Sequence, residues 1–390
     1  MKDTWECKWI EDIDFLRDNL IEKHCNLFCN IKKKEFLTYV NNLKEEINNL
    51  DFNDMKVELS RIVASIGDAH TAIAFPVKYF IPVEFYYFKD GVYITEDLYG
   101  NNIKNHKVLK ISDMRIEEVL ETLKEIISYE NESFFKHNVV QYLKATEVLY
   151  GALLIDNINE VTMTLEDLEG NIKTKTIKAL DREELKQAIK ERKEISSVEV
   201  PLCRRNKDKL YWREYIKSNK TLYLKYNSCR EMEGLSVAEF IRDTIEFIEN
   251  NYIERLIIDF RDNLGGDSTL FDPFIEYVKH KSKLNKKHNL FIIIGRKTFS
   301  SALLNVYELK NNTKALIIGE ATGGKPNCYG EIKRFNLPSS GFSVSYSTKF
   351  YKLIDDDQVK TLLPDIMIEE TIEDFINNRD PVMEYIKKII

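Results

Sequence analysis

Two segments of this chain combine residues that could support nucleophilic chemistry. Ser300 and Ser301 follow the apolar run Leu290 to Ile294, and the pair Gly265-Gly266 follows the mainly apolar run Leu256 to Phe260. Such short runs, bounded by polar residues and glycine, are typical of buried strands in a parallel sheet. A serine hydroxyl at the start of a helix lies in the positive field of the helix dipole, and nearby backbone N–H groups can hold an oxyanion. The pattern predicts a site for nucleophilic acyl transfer.

Each candidate residue also has a simpler structural interpretation. A serine in front of a helix is commonly an N-cap, so Ser300 could be only a cap. His70 is a histidine in a predicted turn, where histidine is most often structural, although a neutral imidazole suits the base that a serine nucleophile needs. Lys325 follows two glycines, which is typical of a solvated loop lysine.

The sequence from residue 221 onwards alternates between strand and helix patterns. Runs such as Thr221 to Tyr226 and Ala315 to Ile318 predict further strands, and a capping box at Ser236–Glu239 predicts the start of a helix. The special residues follow the carboxyl ends of predicted strands, which is where open α/β sheets place their sites. A layered α/β domain is therefore expected here.

The part of the chain before residue 195 is predicted to be helical and then β-rich. The clearest helix begins near Asn53 or Asp54 and ends at Gly67, and a tight connection at residues 68–71 contains His70. Hairpins are predicted over residues 80–98 and 161–177, and helices over 115–128 and 132–150. Residues 180–196 are charged and predict an exposed helix or linker.

Four motifs in order resemble the S41 peptidase family, the C-terminal-processing or tail-specific serine proteases. They are Ile257–Gly266, similar to a strand ending in Asp-x-Arg-x-Asn-x-Gly-Gly; Thr298–Ala302 at the nucleophile position; Gly319–Lys325, similar to Gly-Glu-x-Thr-x-Gly-Lys; and Leu363–Ile366, similar to the closing Pro-Asp-Ile. Gly67–Thr71 also looks like the Asp-Gly-His-Thr segment of the tricorn-core and chlamydial-protease branch. The resemblance implies a crotonase- or ClpP-like layered catalytic domain.

The resemblance also implies roles for individual residues. The spacing to Gly319 and Lys325 favours Ser300 over Ser301 as the nucleophile, and the Ser301 N–H and that of Gly265 or Gly266 would form the oxyanion hole. His70 is expected to be the general base. Lys325 is the competing base, because the tail-specific branch uses a Ser-Lys dyad, but Pro326 stands where that branch has glycine.

The acid that orients the histidine is the weakest match to the family. The branch places a glutamate shortly before the Pro-Asp segment, where this chain has Asp355-Asp356-Asp357-Gln358. Asp357 is the first candidate and Asp356 the second. A degraded triad would make the chain an inactive peptide-binding homologue, which is a rival to the peptidase. An acyl-CoA enzyme of the crotonase fold is less favoured, because that chemistry needs no nucleophilic serine.

The family usually carries a PDZ domain in front of its catalytic part. Residues 76–195 occupy that slot, and no Gly-Leu-Gly-Phe-type loop occurs there. We predict a helical domain at 1–75, an α+β domain, which would be a degenerate PDZ, at 76–195, and the catalytic domain at 196–390.

Composition narrows the function classes further. A net charge of −7 gives no case for nucleic-acid binding, and the longest apolar runs are too short to span a bilayer. Six irregularly spaced cysteines and no apolar signal region at the N-terminus favour a cytoplasmic protein with reduced thiols. A polypeptide substrate is expected, with no metal or organic cofactor; the oligomeric state stays open.

Overall fold

The computed structural model describes residues 4–193 and 200–389, and the chain divides into two compact units. The first unit comprises Met1–Glu130, Asn138–Ser197 and Cys328–Tyr351, and the second comprises Asn131–His137, Val198–Asn327 and Lys352–Ile390. The predicted division into three domains stays a prediction, and its boundary between residues 195 and 196 lies outside the described residues. Among the described helices, none is long and apolar enough to cross a membrane.

The described helices and strands are numbered in chain order. The helices are α1 (Thr4–Lys23), α2 (Lys33–Glu46), α3 (Phe52–Ala64), α4 (Ile116–Lys124), α5 (Glu132–Tyr142), α6 (Thr146–Gly151), α7 (Arg182–Lys193), α8 (Val237–Asn250), α9 (Asp272–His280), α10 (Ser301–Asn312), α11 (Ile372–Ile376) and α12 (Pro381–Lys388). The strands are β1 (Ala72–Ala74), β2 (Tyr79–Phe80), β3 (Val83–Phe88), β4 (Gly91–Asp97), β5 (Lys107–Ile111), β6 (Met114–Arg115), β7 (Glu160–Glu166), β8 (Ile172–Lys178), β9 (Leu180–Asp181), β10 (Tyr211–Ile216), β11 (Thr221–Tyr226), β12 (Arg255–Asp259), β13 (Leu290–Ile294), β14 (Leu316–Gly319), β15 (Cys328–Asn336), β16 (Ser343–Tyr351) and β17 (Ile366–Met367).

The second unit is built on a mainly parallel sheet with the order β10-β11-β12-β13-β14-β17. β10 pairs antiparallel with β11, and the following neighbours pair in parallel. The sheet is buried on both faces: α8, α9 and α10 contribute to the core on one face, and α12 packs on the other. Both predicted strands that lead to the candidate site are present as β12 and β13, and the predicted capping box begins α8. The predicted mixed α/β class is therefore confirmed.

The first unit joins helices to antiparallel sheets. The core around α1, α2 and α3 includes Leu337, Phe342, Val344 and Tyr346, which belong to the β15–β16 hairpin or its turn. The hairpin forms a sheet of order β1-β16-β15, so the segment that follows His70 pairs with strands far along the chain. A separate sheet has the order β3-β4-β5-β7-β8, with β6 paired to β5. The crotonase-like layering and the degenerate PDZ domain stay predictions.

Two predicted helices differ in extent from the observed ones. The helix expected over 132–150 is interrupted between α5 and α6, and the one expected over 115–128 ends at Lys124. α3 begins as predicted within two residues, because Asp51 accepts hydrogen bonds from the backbone N–H groups of Asn53 and Asp54 and forms a capping box. α3 ends at Ala64, and Gly67, which follows three residues later, has φ +70°, the conformation that favours glycine.

Candidate active site

Ser300 lies at a strained turn between β13 and α10. Its backbone has φ 53° and ψ −130°, which a residue with a side chain rarely adopts, and its hydroxyl makes no capping hydrogen bond. Ser300 therefore occupies the N-cap position of α10 without capping the helix through its side chain. Backbone strain of this kind costs about 1–3 kcal/mol and persists where the surroundings enforce it. In α/β-hydrolases, a strained turn between a strand and a helix carries the nucleophilic serine.

Neighbouring contacts hold the serine turn in place. The Thr298 hydroxyl donates to the Phe260 carbonyl at 2.9 Å and accepts the Gly295 N–H at 3.0 Å. The ring of Phe299 stacks on Phe134 with centroids 4.3 Å apart. The turn that carries Ser300 is thus fixed on both sides by buried groups.

Ser301, the rival nucleophile, has its hydroxyl engaged. Ser301 Oγ donates to the Gly266 carbonyl at 2.6 Å, and the residue is buried. Its backbone N–H, at the first turn of α10, has no acceptor among the described residues. The Ser301 side chain is therefore engaged in holding the glycine loop, and the role of its N–H as an oxyanion donor stays a prediction.

The two glycines of the pair differ in what their N–H groups do. Gly265 N–H donates to Asn263 Oδ1 at 2.9 Å, whereas Gly266 N–H meets no acceptor in the described part of the chain. Gly265 has φ +100°, and a Cβ added there would lie 2.8 Å from Ser300 Cβ and 2.9 Å from Ser301 N. Gly265 therefore lies against the serine turn, and Gly266 and Ser301 carry the available N–H donors.

Lys325 lies in the loop that follows β14. This loop is hydrogen-bonded to the serine turn. Gly324 N–H donates to the Thr298 carbonyl at 3.0 Å, and a Cβ on Gly324 would lie 3.4 Å from Phe299 Cα. Lys325 itself is half-buried and makes no ion pair or hydrogen bond with a described residue. The second unit thus contains Ser300, both glycines, Ser301 and Lys325.

Asp357, the predicted orienting acid, is an exposed residue of the loop between β16 and β17. One of its carboxylate oxygens accepts a hydrogen bond from Asn327 Nδ2 at 2.6 Å. Asp357 belongs to the second unit and His70 to the first. Its assignment as the acid stays a prediction that rests on the family resemblance.

His70 lies in the first unit, where it is almost completely buried next to Asp68. His70 Nδ1 is 3.9 Å from Asp68 Oδ1, and the same oxygen accepts the His70 backbone N–H at 3.0 Å. Burial lowers the pKa of His70 below its usual range, and the charge of Asp68 offsets only part of that effect. His70 is therefore neutral at neutral pH, as a general base must be.

Asp68 is a buried carboxylate that joins several side chains of this region, and no motif in the sequence predicted a role for it. Its Oδ2 accepts hydrogen bonds from His24 at 3.0 Å, Thr71 at 2.5 Å and Ser347 at 2.6 Å. Burial by itself would raise the pKa of Asp68, but these bonds and the nearby His70 lower it to about 2. The only signal in the sequence was its position two residues before His70.

A network of charged side chains in the second unit joins β11 to the segments that precede the glycine pair and Ser300. Lys225, which is almost fully buried, is 2.6 Å from Asp262 and 3.2 Å from Asp259, and Lys297 is 3.2 Å from Asp262. Although burial raises the pKa of Asp262, the charges of Lys225 and Lys297 hold it well below its usual range. Asp262 is therefore ionised, and it holds the segment just before Ser300 to β11. Among the described residues, no group of His, Cys, Asp or Glu side chains is arranged to hold a metal ion.

Comparisons with known proteins give matches at the level of structure. No protein-family model and no curated protein matches the chain. The structure of mature CPAF complexed with lactacystin matches with a TM-score of 0.68 at 13% identity, covering 98% of this chain and 97% of that one. An alanine-for-serine mutant of CPAF matches with a TM-score of 0.67 at 12% identity, covering 98% and 96%. A candidate peptidase from Parabacteroides merdae matches with a TM-score of 0.50 at 13% identity, covering 98% and 96%.

At such low identity the likeness concerns the fold. The match extends over nearly the whole of both chains, so it includes the two units described above. The chain therefore has the fold of mature CPAF, which agrees with the resemblance seen in the motifs.

Proposed function

We propose that the protein is a serine peptidase that cleaves polypeptides through an acyl-enzyme at Ser300. The observation that carries the proposal is the state of Ser300: a strained turn presents an uncapped hydroxyl beside two N–H groups that have no acceptor among the described residues. The S41-type fold supports it, since the solved relatives include a candidate peptidase. The CPAF complex with lactacystin also shows that a related fold binds a small molecule.

The proposed reaction follows from the chemistry of these groups. Ser300 Oγ attacks the scissile carbonyl while His70 takes the hydroxyl proton. The N–H groups of Gly266 and Ser301 stabilise the negative charge that develops on the carbonyl oxygen. His70 then gives its proton to the leaving amine, and water, activated in the same way, releases the acid product and regenerates Ser300.

Two carboxylates are candidates for the group that orients His70. The family resemblance favours Asp357, whereas the geometry of the first unit favours Asp68, 3.9 Å from His70 Nδ1. A carboxylate on the Nδ1 side leaves Nε2 to accept the proton from Ser300. We favour Asp68, because it is buried and ionised and its position is fixed by three side-chain donors.

A Ser300–Lys325 dyad is the second candidate mechanism. Two features of Lys325 favour the dyad. Lys325 belongs to the same unit as Ser300, and it forms no ion pair with a described residue. A lysine base must be deprotonated in the resting enzyme, which requires a desolvated site. Lys325 is only half-buried, and we therefore rank the dyad below the histidine mechanism.

A fluorophosphonate probe tests the proposal directly, because it labels an activated serine. We expect labelling and peptide hydrolysis by the wild type, loss of both in Ser300→Ala, and retention of labelling in the matched control Ser301→Ala. His70→Ala should approach Ser300→Ala in severity, since members of a catalytic unit are not additive, and Lys325→Ala should remain active. An inactive Lys325→Ala with an active His70→Ala would select the dyad. A correctly folded wild type that is not labelled would support the inactive peptide-binding homologue.

A further inference from the structure

We infer that Asn263 is a positioning residue that sets the oxyanion donors against the nucleophile, an inference that rests on the proposed function. Asn263 is fully buried, so it cannot touch a substrate. It lies between Phe260, the first residue after β12, and the glycine pair. Its side chain and its backbone both form hydrogen bonds that meet at the candidate site.

Both polar atoms of the Asn263 side-chain amide form hydrogen bonds. Nδ2 donates to the Tyr226 carbonyl at 2.9 Å, and Oδ1 accepts the Gly265 N–H at 2.9 Å. Because a donor is needed on one side and an acceptor on the other, the orientation of the amide is fixed. The glycine loop is thereby held to the end of β11.

The backbone of Asn263 reaches the serine turn. Its carbonyl accepts the Phe299 N–H at 3.1 Å, and its N–H donates to the Phe260 carbonyl at 3.0 Å. Phe299 is the residue before Ser300, whose strained backbone persists only if its neighbours are held firmly. One buried residue thus connects Gly265 to the turn that presents the nucleophile.

The Asn263 side chain also decides which glycine can serve the oxyanion. It engages the Gly265 N–H, and the Gly266 N–H is left without an acceptor among the described residues. Without the amide, Gly265 N–H would lose its partner and the loop would lose its connection to Tyr226. An oxyanion donor must be preorganised to stabilise the transition state, so a loosened loop costs turnover more than substrate binding.

The test compares Asn263→Ala with Asn285→Ala. Asn285 is a matched control: its Nδ2 donates to the Lys279 carbonyl at 2.9 Å and its Oδ1 accepts the Lys314 N–H at 2.7 Å, and it lies before the amino ends of β13 and β14. We expect Asn263→Ala to lower kcat by on the order of 10²-fold with KM within about threefold. The rate of fluorophosphonate inactivation should fall in parallel, because phosphonylation also develops a charged oxygen. Asn285→Ala should also lower Tm, but it should keep its kcat.

Asn263→Asp covers the case in which Asn263→Ala does not fold. It is isosteric and keeps an acceptor for Gly265 N–H, but it replaces the donor to Tyr226, so we expect a fall in kcat of at least about tenfold with KM retained. Wild-type kcat in either folded Asn263 variant, or an equal loss in Asn285→Ala, would overturn the inference while leaving the peptidase proposal intact. A wild type that neither hydrolyses peptides nor labels at Ser300 would overturn both.

Discussion

The Gly265→Ala variant is the sharpest test of the arrangement around Ser300. The added Cβ would lie 2.8 Å from Ser300 Cβ, 2.9 Å from Ser301 N and 3.1 Å from the Phe299 carbonyl oxygen. Non-bonded heavy atoms prefer separations of about 3.5–4.0 Å, so the serine turn must move by more than half of an ångström. The change thus acts on the nucleophile and on a proposed oxyanion donor at once.

The expected effects on stability and on turnover can be separated. An alanine at φ +100° costs about 1–3 kcal/mol of folding free energy through backbone strain. Obstructing one oxyanion donor costs on the order of 10²–10³-fold in kcat, and misplacing a nucleophile by about 1 Å costs a similar factor. We therefore expect kcat to fall by at least about 10²-fold in a variant that still folds.

Gly234→Ala is the control for the folding cost of placing an alanine at a positive φ. Gly234 has φ +78° and belongs to the same unit, and a Cβ there would meet nothing within 4 Å. Both variants should lose stability in thermal unfolding, but only Gly265→Ala should lose turnover and fluorophosphonate reactivity. A folded Gly265→Ala with a kcat within threefold of the wild type would refute the placement of Gly265 against the nucleophile.

Two further predictions concern titration. Burial lowers the pKa of His70, and a base must be neutral to act, so kcat/KM should rise with pH and level off below the usual histidine pKa of about 6.5; a profile that rises only above pH 8 would contradict His70 as the base. The pKa of Asp68 is lowered from 3.8 to about 2, so its stabilising contribution of about 2 kcal/mol is present above pH 4 and is lost as the pH falls through 2. Asp68→Asn should remove that part of the pH dependence of unfolding and lower kcat, whereas Asp357→Asn, at an exposed position, should do neither; the reverse result would make Asp357 the orienting acid.

Much of the candidate site was visible in the sequence because its determinants are local. The apolar runs predicted β12 and β13, since a strand buried on both faces needs apolar residues at successive positions. The glycine pair and the serines directly follow these strands, so the topology of a parallel sheet brings them to one edge. The positive φ at Gly67 and the capping boxes of α3 and α8 are also local, because each involves residues within one turn.

What the tertiary structure alone decided depends on partners that are distant in sequence. Asp68 is a hub because Ser347 reaches it across 279 positions, and β1 finds its sheet partner only in β16. Asn263 engages the Gly265 N–H and the Tyr226 carbonyl, and the Gly266 carbonyl engages the Ser301 hydroxyl. These bonds form only in the folded chain, and they decide which N–H and hydroxyl groups stay available. Such hydrogen bonds join groups whose spacing in the sequence follows no repeating pattern, so the sequence pattern does not predict them. The sequence therefore predicted the serines, the glycine pair and His70 as site candidates, and only the folded chain showed the contacts of Asp68 and Asn263 and which N–H groups they leave available.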